Sequence, residues 1–157
     1  MSGDDVEQAL IEAAQLEPGQ DVLLLGGGSL ALAAHERVGE GWVYVVRAKV
    51  DELEELLVEA HAAGALGVAY LVGEAPVLPL PDGAVAAAVG RIATRDGALE
   101  AAAEELARVI SAGGRASFAE PDAAAGEELG RALAEAGFEQ VEVERVGEEA
   151  VVSGRRA

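Results

Sequence analysis

DVLLLGGGSL, residues Asp21 to Leu30, is an apolar run that ends abruptly in three glycines and passes into a helix-like stretch. In an open α/β sheet this is where the first strand gives way to a helix, and where a nucleotide-like cofactor lies. Glycine has no Cβ, so backbone there can approach a ligand closely and adopt positive φ. The helix start beyond it offers unpaired N–H groups.

Outward from this junction, the apolar spacing alternates between helical and strand-like periods. Before it, VEQALIEAAQL predicts a helix capped by Asp4 or Asp5 and stopped at Glu17-Pro18-Gly19. After it come a helix from about Ser29 to Arg37, a strand over Trp42–Val46 and a helix from Asp51 to Ala63. A strand over Val68–Val72, a proline-rich loop and a strand centred on Val85–Val89 follow. A helix from Gly97 to Ile110 is expected to end at Gly113-Gly114, ahead of a fifth strand, Arg115–Ala119, closed by Glu120-Pro121. Asp122 is placed to cap a helix running to Ala136, with Gly137 ending it. Val141–Arg145 and Ala150–Val152 read as a hairpin joined at Gly147. Strict alternation of strand and helix predicts an α/β fold: a mainly parallel sheet of about seven strands, helices on both faces, and a closing antiparallel hairpin. Residues 1–157 read as one domain.

Composition narrows the function classes. A net charge of −18 argues against nucleic acid, whose phosphates need a basic surface. Cysteine is absent, which excludes disulfides, thiolate metal sites and a cysteine nucleophile. With only His35 and His61 as histidines, no metal site is expected. No apolar stretch reaches the roughly 18 residues of a membrane span. The acidic start MSGDDVEQ is unlike a signal peptide, so a cytoplasmic protein is expected.

Three collinear blocks carry a resemblance to a known family: LEPGQDVLLLGGGS (residues 16–29), LVGEAPVLPLPDGAVAAAV (71–89) and ELARVISAGGRASFAEP (105–121). Together they resemble the class I S-adenosylmethionine-dependent methyltransferases, in their compact form acting on small molecules. The resemblance implies a Rossmann-like sheet and a cofactor cleft lined by Gly26, Gly27, Gly28, Ser29, Arg47, Glu74, Ala75 and Arg91. It also exposes departures. The family's first-strand acid falls on Leu24, its last loop glycine on Leu30 and its fourth-strand Asp on Ala86. The carboxylate that holds the cofactor ribose falls on Arg47, and Asp51 lies too far along to replace it. Glu74 stands where the family has an Asp for the adenine amino group.

These departures imply weakened or lost S-adenosylmethionine binding in a methyltransferase-like protein that serves as a binding, regulatory or assembly partner. A protein partner or a homo-oligomer is then expected, the more so because few helices are left to cover the substrate. One alternative is an active methyltransferase on a small molecule. A second is an NADP-binding Rossmann-type protein, since Gly26-x-Gly28-x-x-Ala31 also satisfies the dinucleotide pattern. Arg47 would then face a 2′-phosphate. No catalytic residue is assigned. His35 and His61 read as helix-surface residues, Arg91 and Asp96 as a site rim, and Tyr70 and Trp42 as core or strand-end packing.

Overall fold

The computed structural model describes residues 3–26, 30–47, 54, 67–73, 77–92 and 98–157. In chain order the elements are α1 (Gly3–Ala14), β1 (Val22–Leu25), α2 (Leu30–Val38), β2 (Val43–Arg47), β3 (Val68–Val72) and β4 (Val85–Gly90). Then follow α3 (Leu99–Val109), β5 (Ile110–Glu120), α4 (Ala123–Glu135), β6 (Phe138–Val146) and β7 (Glu149–Arg156). The strands form one seven-stranded sheet in the order β3-β2-β1-β4-β5-β7-β6. Strands β1 to β5 run parallel, and β7 enters antiparallel between β5 and β6. The fold is therefore α/β with the mainly parallel sheet that the alternation predicted.

Helices cover both faces, which is why central strands are apolar throughout. All four residues of β1 are buried. Val22 and Leu24 join Val6, Leu10, Ala34 and Val38 on the side of α1 and α2. Leu23 and Leu25 face Leu106 on the side of α3 and α4, whose cluster also holds Leu129 and Phe118. The buried Ser117 hydroxyl donates to the Leu10 carbonyl at 2.8 Å, tying β5 to α1 without leaving a polar group unsatisfied. On the other side, Glu105 accepts the Leu78 N–H at 2.6 Å while Arg108 bridges Glu105 and Asp82. That network pins the loop before β4 onto α3.

Several boundaries differ from the sequence expectation. Helix α1 already begins at Gly3, so Asp4 and Asp5 lie in its first turn instead of capping it. Helix α3 ends at Val109, and the chain becomes extended at Ile110. The Gly113-Gly114 pair belongs to β5: Ile110 pairs with Val85 and Arg115 with Ala87, so the residues between bulge out. A Cβ on Gly114 would lie 2.5 Å from the Ala86 carbonyl oxygen, so the glycine serves close strand approach and not a helix stop. The Asp122 cap forms as expected, accepting the Ala125 N–H at 2.8 Å. The hairpin turns at Gly147 with φ 66°. The expected helix from Asp51 to Ala63 lies outside the described residues, apart from Glu54.

Candidate functional site

The register aligns five residues along one edge of the sheet. Leu25 pairs with Val46 on one side and Gly90 on the other. Gly90 pairs with Phe118, and Glu120 with Ala150. Arg47, Gly26, Arg91, Glu120 and Glu149 therefore stand in that order at the ends of β2, β1, β4 and β5 and the start of β7. This is the carboxyl edge of the parallel strands. The chain passes from β1 into α2 on one face and reaches α3 and α4, after β4 and β5, on the other, which makes the β1/β4 boundary the switch point where open sheets bind ligands.

At that boundary the backbone leaves no room for side chains. Gly26 has φ 69°, and a Cβ on it would meet the Arg91 Cβ at 3.2 Å. The Arg91 N–H donates to the Leu25 carbonyl at 2.6 Å. The glycine thus turns the chain sharply off β1, as the opening segment predicted. Gly27, Gly28 and Ser29 beyond it, and Glu74 and Ala75 after β3, lie outside the described residues, as do Asp51, His61 and Asp96.

Arg47 occupies the last position of β2, and its carbonyl accepts the Gly73 N–H at 2.9 Å. It is partly buried. Its place beside the β1 turn is the one the strand reading gave it.

The two leucines that stand for family residues do not face this edge. Leu24 is 0% exposed and Leu30 1%, both within the core formed with α1 and α2. Leu30, which stands where the family has its last loop glycine, therefore puts no bulk at this edge. As the first residue of α2 it points back toward the sheet, because the helix must bury its apolar stripe there.

Charge gathers at the other half of the edge. Arg91 donates to the Glu149 carboxylate, a bond that raises its already high pKa, with Glu120 and Glu7 adding to the effect. Since β4 and β7 flank β5, this ion pair spans two interstrand spacings, about 10 Å, across the end of β5. Glu120 sits at that strand end, half-buried, with no hydrogen bond or ion pair among the described residues. Burial pushes its carboxyl up to about 7; Arg91 opposes the shift, and Asp122 and Glu128 reinforce it.

Glu120 keeps its proton in the folded protein between the ordinary carboxylate pKa and about 7, where the unfolded chain has lost it. Its contribution to stability is therefore full below the unfolded pKa and disappears as pH rises through about 7. Glu120→Gln removes that titration. The variant should gain on the order of 1 kcal/mol relative to the parent between pH 5 and pH 8, allowing for solvent screening. Urea unfolding at the two pH values measures the difference; an equal offset at both would show that Glu120 is ordinarily solvated.

Other sequence candidates lie elsewhere. His35 packs at the opposite, amino edge, where its ring meets the position a Gly67 Cβ would take at 3.3 Å. The residue is partly exposed, as a helix-surface position is, but its Nδ1 is buried without a hydrogen-bond partner among the described residues, and it is far from the switch point. Trp42 immediately precedes β2 at that same edge and is 47% exposed, not packed into the core. Of Tyr70, only its place in β3 is described.

Glu120 and Glu149 were not singled out from the sequence. Glu120 was legible, since every residue closing a parallel strand belongs to this edge. Glu149 was not, because its position depends on β7 entering beside β5.

Neither a protein-family model nor a curated protein matches the sequence. Solved structures do. An S-adenosylmethionine-dependent methyltransferase from Aquifex aeolicus is 25% identical, with a TM-score of 0.80 over 98% of this chain and 90% of its own. Precorrin-6y C5,15-methyltransferase from Geobacter metallireducens is 15% identical, with a TM-score of 0.83 over 100% and 90%. A chain from the complex of the Haloferax volcanii Trm112 methyltransferase activator with a methyltransferase is 17% identical, with a TM-score of 0.76 over 96% and 88%. The fold is that of the class I methyltransferases. Among the described residues, no helix is long and apolar enough to cross a membrane.

Proposed function

We propose that residues 1–157 act as one cytoplasmic methyltransferase-like domain that binds S-adenosylmethionine with a weakened grip and modifies a small molecule. The observation that carries this function is the tight turn at Gly26 beside β4, with Leu24 and Leu30 directed into the core and away from the edge. Gly26 to Ser29 would cradle the amino-acid end of the cofactor, and Glu74 with Ala75 would meet its adenine. The sulfonium supplies an activated methyl group; the protein need only align it with a nucleophile and exclude competing water.

Arg47 is the defect. It stands where a carboxylate would accept both ribose hydroxyls, and a hydrogen bond to a charged group contributes about 1.5–3 kcal/mol. The loss corresponds to roughly tenfold to a hundredfold weaker binding. That same residue favours a second function, a domain that no longer turns over and serves as a regulatory or assembly partner. The Haloferax structure offers a precedent for a protein partner on this fold.

Calorimetric titration with S-adenosylhomocysteine and NADP separates these functions. Binding of the sulfur ligand at tens to hundreds of micromolar, about −5 to −6 kcal/mol, is expected. No heat with either ligand would favour the partner role. Heat with NADP alone would make Arg47 a phosphate ligand.

A further inference from the structure

We propose that the hollow between α1 and the β6-β7 hairpin binds a zwitterion of amino-acid size, its carboxylate held by Arg115 and Ser153 and its ammonium group by Glu142 and Glu144. The hollow has a volume of about 280 Å³ and shares no residue with the strand-end edge described above. The site therefore stands or falls independently of the methyltransferase function.

Register puts these groups on one face of the sheet. Ser117 on β5 pairs with Ser153 on β7, which pairs with Glu142 on β6; Ala119, Val151 and Glu144 form the next such row. Alternation along β5 carries Arg115 to the same face, as a diagonal neighbour of Ser153. Helix α1 lies over Ser117, whereas Glu142 and Glu144 are exposed, and the hollow opens between them.

Two donors in this hollow are left incomplete. Ser117 and Ser153 are both buried, yet only Ser117 is satisfied, by the Leu10 carbonyl. Ser153 is 5% exposed, lines the hollow, and its hydroxyl has no hydrogen-bond partner among the described residues. A hydroxyl withdrawn so far from water needs another partner. Arg115 is the second incomplete group. Its Nε donates to the Ala13 carbonyl at 3.0 Å, which anchors the guanidinium, but no carboxylate pairs with it among the described residues. The chain has 29 acidic side chains against 11 basic ones, so acids are not scarce. Arg155, its neighbour on β7, does find one in Glu139 at 3.9 Å. A guanidinium fork beside a free hydroxyl offers the donors that a carboxylate accepts.

The opposite charge lies across β7. Glu142 and Glu144 face the same hollow, also without an ion-pair partner among the described residues. A plain anion on Arg115 meets their repulsion, and a plain cation between the glutamates meets that of Arg115. A molecule carrying both charges satisfies each group. Ala9, Ala13 and Val151 line the same hollow and suit its hydrocarbon part. The volume is at the small end for ligand pockets, which fits one amino acid and not a peptide.

The test uses the full chain with L-leucine as probe. Its two halves, 3-methylbutylamine and 4-methylpentanoate, are controls with the same hydrocarbon and one charge each. Main-chain amide resonances of Arg115, Val151 and Ser153 are followed during titration at neutral pH. Leucine should move them with a Kd of roughly a millimolar or below, at least about tenfold tighter than either half. Arg115→Gln should weaken leucine by about tenfold or more, and Ser153→Ala by about threefold to tenfold. Ser153→Ala removes a single oxygen and serves if Arg115→Gln fails to fold. Resonances unmoved at ten times the expected Kd would overturn the site, as would leucine affinity unchanged in the folded variants. Either half binding as tightly as leucine would overturn the zwitterion, leaving an anion site or an acidic surface.

Discussion

Gly90→Ala is expected to destabilise the protein by about 3–5 kcal/mol, a large share of the 5–15 kcal/mol that holds a domain of this kind together. Gly90 has φ 136°, and a Cβ built on it would lie 1.8 Å from the Leu25 carbonyl oxygen. Two separate costs therefore combine. Positive φ in an L-residue costs about 1–3 kcal/mol, and forcing a methyl group into packed backbone costs a similar amount. Relief would require β1 and β4 to separate where Leu25 pairs with Gly90, which is the centre of the sheet. Gly137→Ala is the control. Its φ is 108° but nothing lies within 4 Å of the added methyl, so only the conformational cost applies. Urea denaturation of both variants gives the comparison. If Gly90→Ala loses no more than Gly137→Ala, the close approach of the two strands is wrong.

Arg47→Asp is expected to raise affinity for S-adenosylhomocysteine by tenfold to a hundredfold, the reciprocal of the loss assigned to the missing carboxylate. The substitution removes the Arg47 Nη1 donation to the Val46 carbonyl at 3.2 Å but keeps the Gly73 N–H on the main-chain carbonyl of residue 47. It also leaves β2 paired with β1 and β3 through backbone groups. Arg47→Ala separates two explanations. A gain with Asp alone marks a restored ribose contact, whereas an equal gain with Ala means that removing the cation was enough. Calorimetry on the three proteins decides it, and no gain with Asp would show that position 47 does not face the cofactor.

Most elements were legible because their signals are local. The apolar run Val22–Leu25, the aromatic and β-branched Val43–Val46 and the Asp122 cap each act within a few residues, and each falls within two residues of its expected place. The misplaced boundary at Gly113-Gly114 shows the limit. A glycine pair after a helix reads as a stop, yet these glycines answer to Ala86 and Ile110, which only the paired strands bring near. The candidate site divides in the same way. Gly26, Arg47 and Arg91 follow from counting to the ends of parallel strands. Leu30 falls where the resemblance places a loop glycine, yet it opens α2 and the helix turns its side chain to the core.

Sequence alone determined that this chain is a mainly parallel α/β sheet, and that an arginine stands at the end of β2, where the family it resembles carries a carboxylate. Apolar periodicity and the identity of strand-end residues are carried by the chain's own order. Only the tertiary structure decided that β7 enters between β5 and β6, drawing Glu149 to Arg91 across the end of β5 and leaving Glu120 half-buried with no partner among the described residues. Strand order is set by how helices and strands pack together, and residues 29 or 58 positions apart acquire a common environment only once that packing exists.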